Sequence, residues 1–113
     1  MHEAGIAQSI IDIATETAKK NGAVKVLSVS VNIGRLVAVE SNSLEFAFDA
    51  LKDNTILKGS KLIINDIDIT GKCLDCGDEN IYDEYFFACK KCGSYNIRII
   101  AGEELNVTEI EVE

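Results

Sequence analysis

Four cysteines are the clearest chemical feature of this 113-residue sequence. They form two Cys-x2-Cys pairs, Cys73 with Cys76 and Cys89 with Cys92, and twelve residues separate the pairs. A tight turn brings both sulfur atoms of a pair to one side, and two such turns facing each other make a tetrahedron of thiolates with Zn–S distances of about 2.3 Å. A glycine follows each pair, where it lets the turn close. The spacing predicts a Zn2+ site.

A zinc ion with four protein ligands leaves no position for water, so the predicted site is structural rather than hydrolytic. Lys72, Lys90 and Lys91 lie next to the ligands and are expected to offset the negative charge of a zinc tetrathiolate. Two disulfides, or four unrelated buried cysteines, are alternatives that the paired spacing disfavours. A rubredoxin-like iron-tetrathiolate electron carrier uses the same four-sulfur geometry, but it leaves the rest of the chain unexplained.

The second residue, His2, is the only histidine. Ni2+ favours square-planar nitrogen ligation, and the Met1 amine with the backbone and ring nitrogens of His2 supplies three corners of such a square. Glu3 could give the fourth corner through its amide or its carboxylate. The first amides of a helix have no intrahelical acceptor, so deprotonating them breaks no helical hydrogen bond. A lone histidine near a terminus is more commonly a solvated polar residue, and these residues alone leave both interpretations open.

Helical periodicity predicts two amphipathic helices. The first runs from Glu3 to Lys20 and ends at Asn21-Gly22, and its apolar face is formed by Ile6, Ile10, Ile13, Ala14 and Thr17. The second lies within residues 40–54, with Asn42 and Glu45 as a capping box and an apolar face of Leu44, Ala47, Phe48 and Leu51.

Alternating patterns predict three strands, at residues 27–33, 61–70 and 104–113. The cysteine segment lies between the last two strands, and Gly71 and Gly102 flank it as candidate hinges. We therefore expect these two strands to leave one sheet side by side around a separate module. The predicted fold is α+β, with two helices on one face of a small three-stranded sheet. Its domains are residues 1–70 plus 103–113, and an inserted zinc ribbon at residues 71–102.

Net charge, hydropathy and the motifs present argue against nucleic-acid binding, membrane insertion and catalysis. Eleven Lys and Arg against nineteen Asp and Glu give a formal charge of −8, which opposes binding to nucleic acid. No segment approaches the length of a membrane span, and the start lacks the pattern of a secretory signal, which predicts a cytoplasmic protein without membrane contact. The chain has no Gly-rich phosphate loop and no nucleophile–base pair, which predicts that it is not an enzyme.

The order of motifs resembles the HypA family of hydrogenase maturation factors. It comprises "MHE" before an amphipathic helix, "VNIGRLVAVESNSLEFAFDALKDNT", the two Cys-x2-Cys-Gly knuckles and a closing "GEELNVTEIEV". The resemblance covers essentially the whole chain. Two positions depart from the family pattern, because Arg35 stands where the family commonly has Glu and Lys90 where it commonly has Pro.

The resemblance implies that Met1, His2 and Glu3 bind nickel and that Cys73, Cys76, Cys89 and Cys92 bind structural zinc. It further implies a nickel metallochaperone that works with a nickel-insertion GTPase and delivers Ni2+ to the large subunit of nickel-iron hydrogenase. Members of the family sometimes also serve urease, which adds urease accessory proteins to the expected partners. A zinc-ribbon adaptor that binds only protein, or the iron electron carrier, is the alternative.

Overall fold

The computed structural model describes residues 2–83 and 86–113. Within these residues, two α-helices, a short 3-10 helix and six β-strands follow one another along the chain. They are α1 (Glu3–Lys20), β1 (Val26–Gly34), the 3-10 helix (Arg35–Val37), α2 (Ser41–Leu51), β2 (Lys61–Ile67), β3 (Ile69–Cys73), β4 (Glu79–Tyr82), β5 (Ile97–Ala101) and β6 (Leu105–Val112). The predicted order of helix, strand, helix, strand, insertion and strand is confirmed.

The strands form two three-stranded sheets. In the first sheet, β1 lies in the middle, parallel to β2 and antiparallel to β6. In the second sheet, β3 lies between β4 and β5, and both pairs are antiparallel. The predicted α+β class is therefore confirmed, and the second sheet belongs to the inserted cysteine segment.

Both helices pack against each other and against the first sheet. Their shared core consists of Ala7, Ile10, Ile11, Ala14, Ala18, Val26, Val29, Val31, Ile33, Leu44, Phe48 and Leu57. This core contains no residue of the second sheet, so the burial of apolar surface that stabilises the helices is confined to one part of the chain. In the described ranges, neither helix is both long and apolar enough to cross a membrane.

The buried face of α1 differs from the predicted one. Ile13 is 48% exposed and Thr17 is exposed, whereas Ala7, Ile11 and Ala18 are buried. The reason is that α1 contacts both α2 and the sheet, and alanine lets the neighbouring elements approach closely. The prediction relied mainly on the large apolar side chains and gave little weight to the alanines. It therefore placed the centre of the buried face on the side of Ile13 rather than on the side of Ala7 and Ile11.

Helix α2 is capped differently from the prediction. The carboxylate of Glu40 accepts a hydrogen bond from the Ser43 amide, so Glu40 is the N-cap and the capping box of Asn42 and Glu45 is wrong. A carboxylate at this position also interacts favourably with the positive end of the helix dipole. Of the predicted apolar face, Leu44 and Phe48 are buried, while Leu51 is 39% exposed at the helix end.

The segment at 61–70 was expected to be one strand, but the structure divides it at Asp68 into β2 and β3, which belong to different sheets. Strands β2 and β6 are also not side by side as expected, because β1 lies between them. Asp68 is exposed and forms an ion pair with Arg35, whose Nε lies 3.0 Å from its Oδ1. Arg35, which departs from the family pattern, therefore contacts the chain where it passes from the first sheet to the second.

Two glycines meet at the junction of the sheets. A Cβ atom at Gly34 would lie 2.0 Å from the carbonyl oxygen of Gly102, which no side chain tolerates. Gly102 itself has φ +117°, a conformation that favours glycine. The Leu36 amide donates to the Gly102 carbonyl at 2.9 Å and the Gly34 amide donates to Glu104 at 2.7 Å. Backbone contacts thus join the end of β1 to the start of β6.

Replacing Phe48 by alanine should lower the free energy of unfolding by about 3–5 kcal/mol, because the fully buried ring would leave a cavity in the core. The matched control is Phe46→Ala on the same helix, since Phe46 is 77% exposed and its loss should cost within about 0.5 kcal/mol. Chemical denaturation of both variants measures the difference. Equal losses would show that α2 presents another face to the core.

Candidate metal sites

The first cysteine knuckle follows directly from β3, which ends at Cys73. The Gly77 amide donates to the Cys73 carbonyl at 2.8 Å, and the Cys73 amide donates to the Asp78 carbonyl at 2.8 Å. Gly77 closes this turn with φ +81°, in the left-handed region that costs glycine nothing. The turn directs the Cys76 amide at the Cys73 sulfur, 3.5 Å away.

The second knuckle repeats this geometry. The Gly93 amide donates to the Cys89 carbonyl at 2.9 Å, the Cys89 amide donates to the Ser94 carbonyl at 2.7 Å, and Gly93 has φ +79°. The amides of Lys91 and Cys92 both point at the Cys89 sulfur, each 3.4 Å from it. Amide donors of this kind stabilise a thiolate and orient it toward a metal.

The two knuckles bring their four sulfur atoms together. The Sγ atoms of Cys73 and Cys92 are 3.6 Å apart, those of Cys76 and Cys89 are 3.5 Å apart, and all four lie within 4.8 Å of one another. A tetrahedron with metal–sulfur distances of about 2.3 Å has edges of about 3.8 Å, which is close to these separations. The arrangement fits a metal site. No other group of three or more His, Cys, Asp or Glu side chains in the described parts of the chain is so arranged.

The thiols of the cluster do not titrate alike. Hydrogen bonds from the Cys92 and Lys91 amides lower the pKa of Cys89 to about 6. The Asp78 amide lowers the pKa of Cys76, but desolvation and the neighbouring thiols outweigh it and raise this pKa to about 12. A cation bound among four cysteines keeps all four sulfur atoms ionised, because its positive charge is the largest charge in the site and stabilises the thiolates.

Contacts between the knuckles fix their separation. The Leu74 amide donates to the Asn96 carbonyl at 2.9 Å, and the Ser94 hydroxyl donates to the Asp75 carboxylate. The same hydroxyl accepts a hydrogen bond from the Asn96 amide at 3.0 Å. The sulfur positions therefore depend on polar residues next to the cysteines, which the sequence pattern did not single out.

Lys90 makes two contacts that its position next to Cys89 did not predict. Its ammonium donates to the Ile81 carbonyl at 2.6 Å and lies 5.3 Å from the ring centroid of Tyr82, over the ring. Tyr82 is only 3% exposed. The lysine that stands in the position of the family's proline thus ties the second knuckle to β4, and it also contributes a cation–π contact.

The predicted nickel-binding residues lie at the start of α1. Met1 lies outside the described residues. His2 is the exposed N-cap of α1, its side chain makes no capping hydrogen bond, and its carbonyl accepts from the Ile6 amide at 3.2 Å. The Glu3 carboxylate accepts a hydrogen bond from the Glu40 amide at 3.1 Å, and this contact lowers the pKa of Glu3. Glu40 was missed because it lies 37 residues away in the sequence.

Fold and site together define a class: an α+β protein with two helices on one sheet and a four-cysteine metal ribbon inserted between β2 and β6. The family model described as "Hydrogenase/urease nickel incorporation, metallochaperone, hypA" matches residues 1–112. The chain belongs to this family, so the resemblance is confirmed, and a nickel metallochaperone is supported over an electron carrier or a protein adaptor.

Relatives match this chain over all or nearly all of their length. A hydrogenase maturation factor HypA of Geobacter metallireducens is 41% identical over 113 residues and is covered completely, as is this chain. One from Nostoc punctiforme is 44% identical, covering 100% of this chain and 96% of the relative.

Two solved structures have a fold similar to that of this chain. The solution structure of the Ni metallochaperone HypA from Helicobacter pylori superposes with a TM-score of 0.69 at 30% identity, covering 99% of this chain and 97% of that one. A second HypA solution structure reaches a TM-score of 0.75, also at 30% identity, covering 100% of this chain and 97% of that one.

Gly93→Ala should weaken metal binding by the cluster roughly 5- to 30-fold, because a Cβ atom strains the left-handed conformation by about 1–2 kcal/mol. No atom of the residues that the structure describes lies within 4 Å of the added carbon, so crowding by them contributes nothing. Gly93→Asn is the control, since asparagine tolerates this conformation and should lose less. Titration with Co2+, which absorbs visible light when bound by thiolates, measures the affinity. Unchanged affinity in Gly93→Ala would contradict the described turn.

Proposed function

We propose that the protein binds Ni2+ at its amino terminus through Met1, His2 and Glu3 and passes it to the large subunit of a nickel-iron hydrogenase, together with a nickel-insertion GTPase. Urease, through its accessory proteins, is a further recipient. The observation that carries the proposal is the exposed imidazole of His2 at the N-cap of α1, whose side chain has no hydrogen-bonding partner among residues 2–83 and 86–113. The family match supplies the identity of the cargo.

The start of a helix suits this task. The amides of the first turn have no intrahelical acceptor, so those of His2 and Glu3 can lose their protons to nickel without unfolding α1. Deprotonated amides also supply the negative charge that offsets repulsion between the cation and the positive end of the helix. Because the Glu3 carboxylate already accepts from Glu40, the amide nitrogen of Glu3 is the more available donor.

We further propose that Cys73, Cys76, Cys89 and Cys92 hold a structural zinc ion. Four sulfur donors in a tetrahedral arrangement match the preference of Zn2+, which adds charge neutralisation and a cross-link between the knuckles. The chain contributes the sulfur positions and the amide donors aimed at Cys73 and Cys89. With all four ligands supplied by the protein, this site has no catalytic role.

The two domains of the chain therefore have different roles. Residues 1–70 plus 103–113 form the nickel-binding domain, and residues 71–102 form the zinc ribbon. Nickel is cargo and zinc is a permanent part of the fold, so neither site performs a reaction and the protein is not an enzyme. Delivery to newly made hydrogenase subunits implies that it works in the cytoplasm.

His2→Ala should abolish specific nickel binding while changing thermal stability little, because the exposed side chain packs against little of the core. Calorimetric titration with Ni2+ tests this, starting from protein whose first residue is shown by mass spectrometry to be Met1 with a free amine. Gln8→Ala is the control, since Gln8 is exposed on the same helix and should leave nickel affinity unchanged.

The amine is tested by a short non-coordinating extension before Met1, which converts the amine to an amide and should be as damaging as losing His2. The same extension placed after Glu113 is the matched control and should have no effect. Equal nickel affinity with and without the N-terminal extension would exclude the terminus as a ligand.

Zinc should be found at one tightly held ion per chain, and Cys73→Ser should loosen the ribbon while the helices remain folded. Structural zinc supplies on the order of 10 kcal/mol to modules that lack a core of their own. Hydrogen exchange should show lost protection for β3, β4 and β5 and retained protection for β1. Stoichiometric iron with visible absorption in protein from metal-replete cells would overturn the zinc assignment and favour the electron carrier.

A further inference from the structure

Strand β6 is an edge of the first sheet. Within the described residues it pairs with β1 on one side only. The Gly34 amide donates to the Glu104 carbonyl, and hydrogen-bonded pairs alternate with non-hydrogen-bonded pairs along an antiparallel ladder. The amide and carbonyl of the next residue, Leu105, therefore face away from β1. An edge of this kind can pair with a further strand.

An apolar groove runs along this edge, between β6 and the first half of α1. It has a volume of about 420 Å³ and is lined by side chains that include Ile6, Ile13, Leu105 and Val107. Ile13 is 48% and Leu105 is 43% exposed, which is high for large apolar side chains next to a core. A strand added to β6 would direct alternate side chains into this groove.

The opposite face of the edge is acidic. Val31, whose side chain is buried under the helices, pairs with Val107, while Ser30 and Ser28 pair with Glu109 and Glu111. Both glutamates are exposed. An added strand would therefore meet apolar side chains on one face and carboxylates on the other.

We propose that the outer edge of β6 binds an extended segment of a partner protein in which apolar and basic residues alternate. Main-chain hydrogen bonds to β6 supply affinity, the groove selects the apolar residues, and Glu109 and Glu111 select the basic ones. A second copy of this chain is a poor occupant, because β6 contains two glutamates and no basic residue, so pairing β6 with itself offers no opposite charge to them.

The groove also has a position relative to the amino terminus. His2 is one of the residues that line it, together with Gly5 and Ile6. A segment seated on β6 would therefore lie beside the proposed nickel ligand, so that this edge would orient the protein that receives the metal. Only this last step rests on the proposed function, and strand addition itself can be tested without nickel.

The test uses the 113-residue chain with zinc in the cysteine cluster and no nickel added, together with a short capped peptide in which lysine and valine alternate. NMR spectra of the isotope-labelled protein should show shifts confined to β6 and the first half of α1. A peptide of the same composition with its lysines and valines in separate blocks should bind far more weakly. Methylation of every backbone nitrogen keeps the charge but removes the donors, and should abolish binding.

Charge-reversal variants test whether Glu109 and Glu111 contribute to binding of the peptide. Glu109→Lys combined with Glu111→Lys should weaken binding of the alternating peptide about tenfold, since two attractions become repulsions. Glu45→Lys combined with Asp53→Lys makes the same change of net charge at two exposed sites away from β6 and should change affinity less than about twofold.

Equal binding of the block peptide, equal binding of the methylated peptide, or shifts centred elsewhere would each overturn strand addition. Equal loss in the variant that combines Glu45→Lys with Asp53→Lys would show that net charge alone attracts the peptide and would also overturn it. Concentration-dependent shifts of β6 without peptide would overturn the choice of partner in favour of a second copy.

Discussion

Four sulfur atoms lie within 4.8 Å of one another, and the structure of the ribbon depends on what holds them there. Four thiolates this close repel one another unless a cation lies among them. Among the described residues from the start of β3 to the end of β5, the buried apolar side chains are Ile69, Cys73, Tyr82 and Cys89, and two of these are sulfur donors. The second sheet thus has almost no core apart from its metal site, whereas the helices share a continuous one.

This difference in stabilisation assigns different chemistry to the start of α1 and to the cysteine ribbon. Thiolates bind late first-row metals tightly, so a metal that must be handed on is better held by nitrogen and oxygen donors that can exchange. His2 and Glu3 offer such donors at the start of α1, and the cysteines are occupied with one another in the ribbon. The junction at Gly34 and Gly102 keeps both parts in one backbone framework.

Local patterns were sufficient to predict the bounds of α1, the α+β class and the cysteine cluster, because helix stop signals and Cys-x2-Cys turns act over a few residues. Long-range contacts were not predictable. The Glu3–Glu40 hydrogen bond and the insertion of β1 between β2 and β6 join residues far apart in sequence. The break at Asp68 was hidden because its neighbours alternate like a single strand, and only the change of sheet reveals it.

The central claim is that nickel and the ribbon metal occupy chemically distinct sites. X-ray absorption at the nickel and zinc edges of one sample of loaded, untagged protein tests this most directly. The account predicts only nitrogen and oxygen ligands around nickel, and four sulfur ligands at about 2.3 Å around zinc. Sulfur in the first coordination sphere of nickel would contradict it, because the cysteines rather than the amino terminus would then be carrying the cargo.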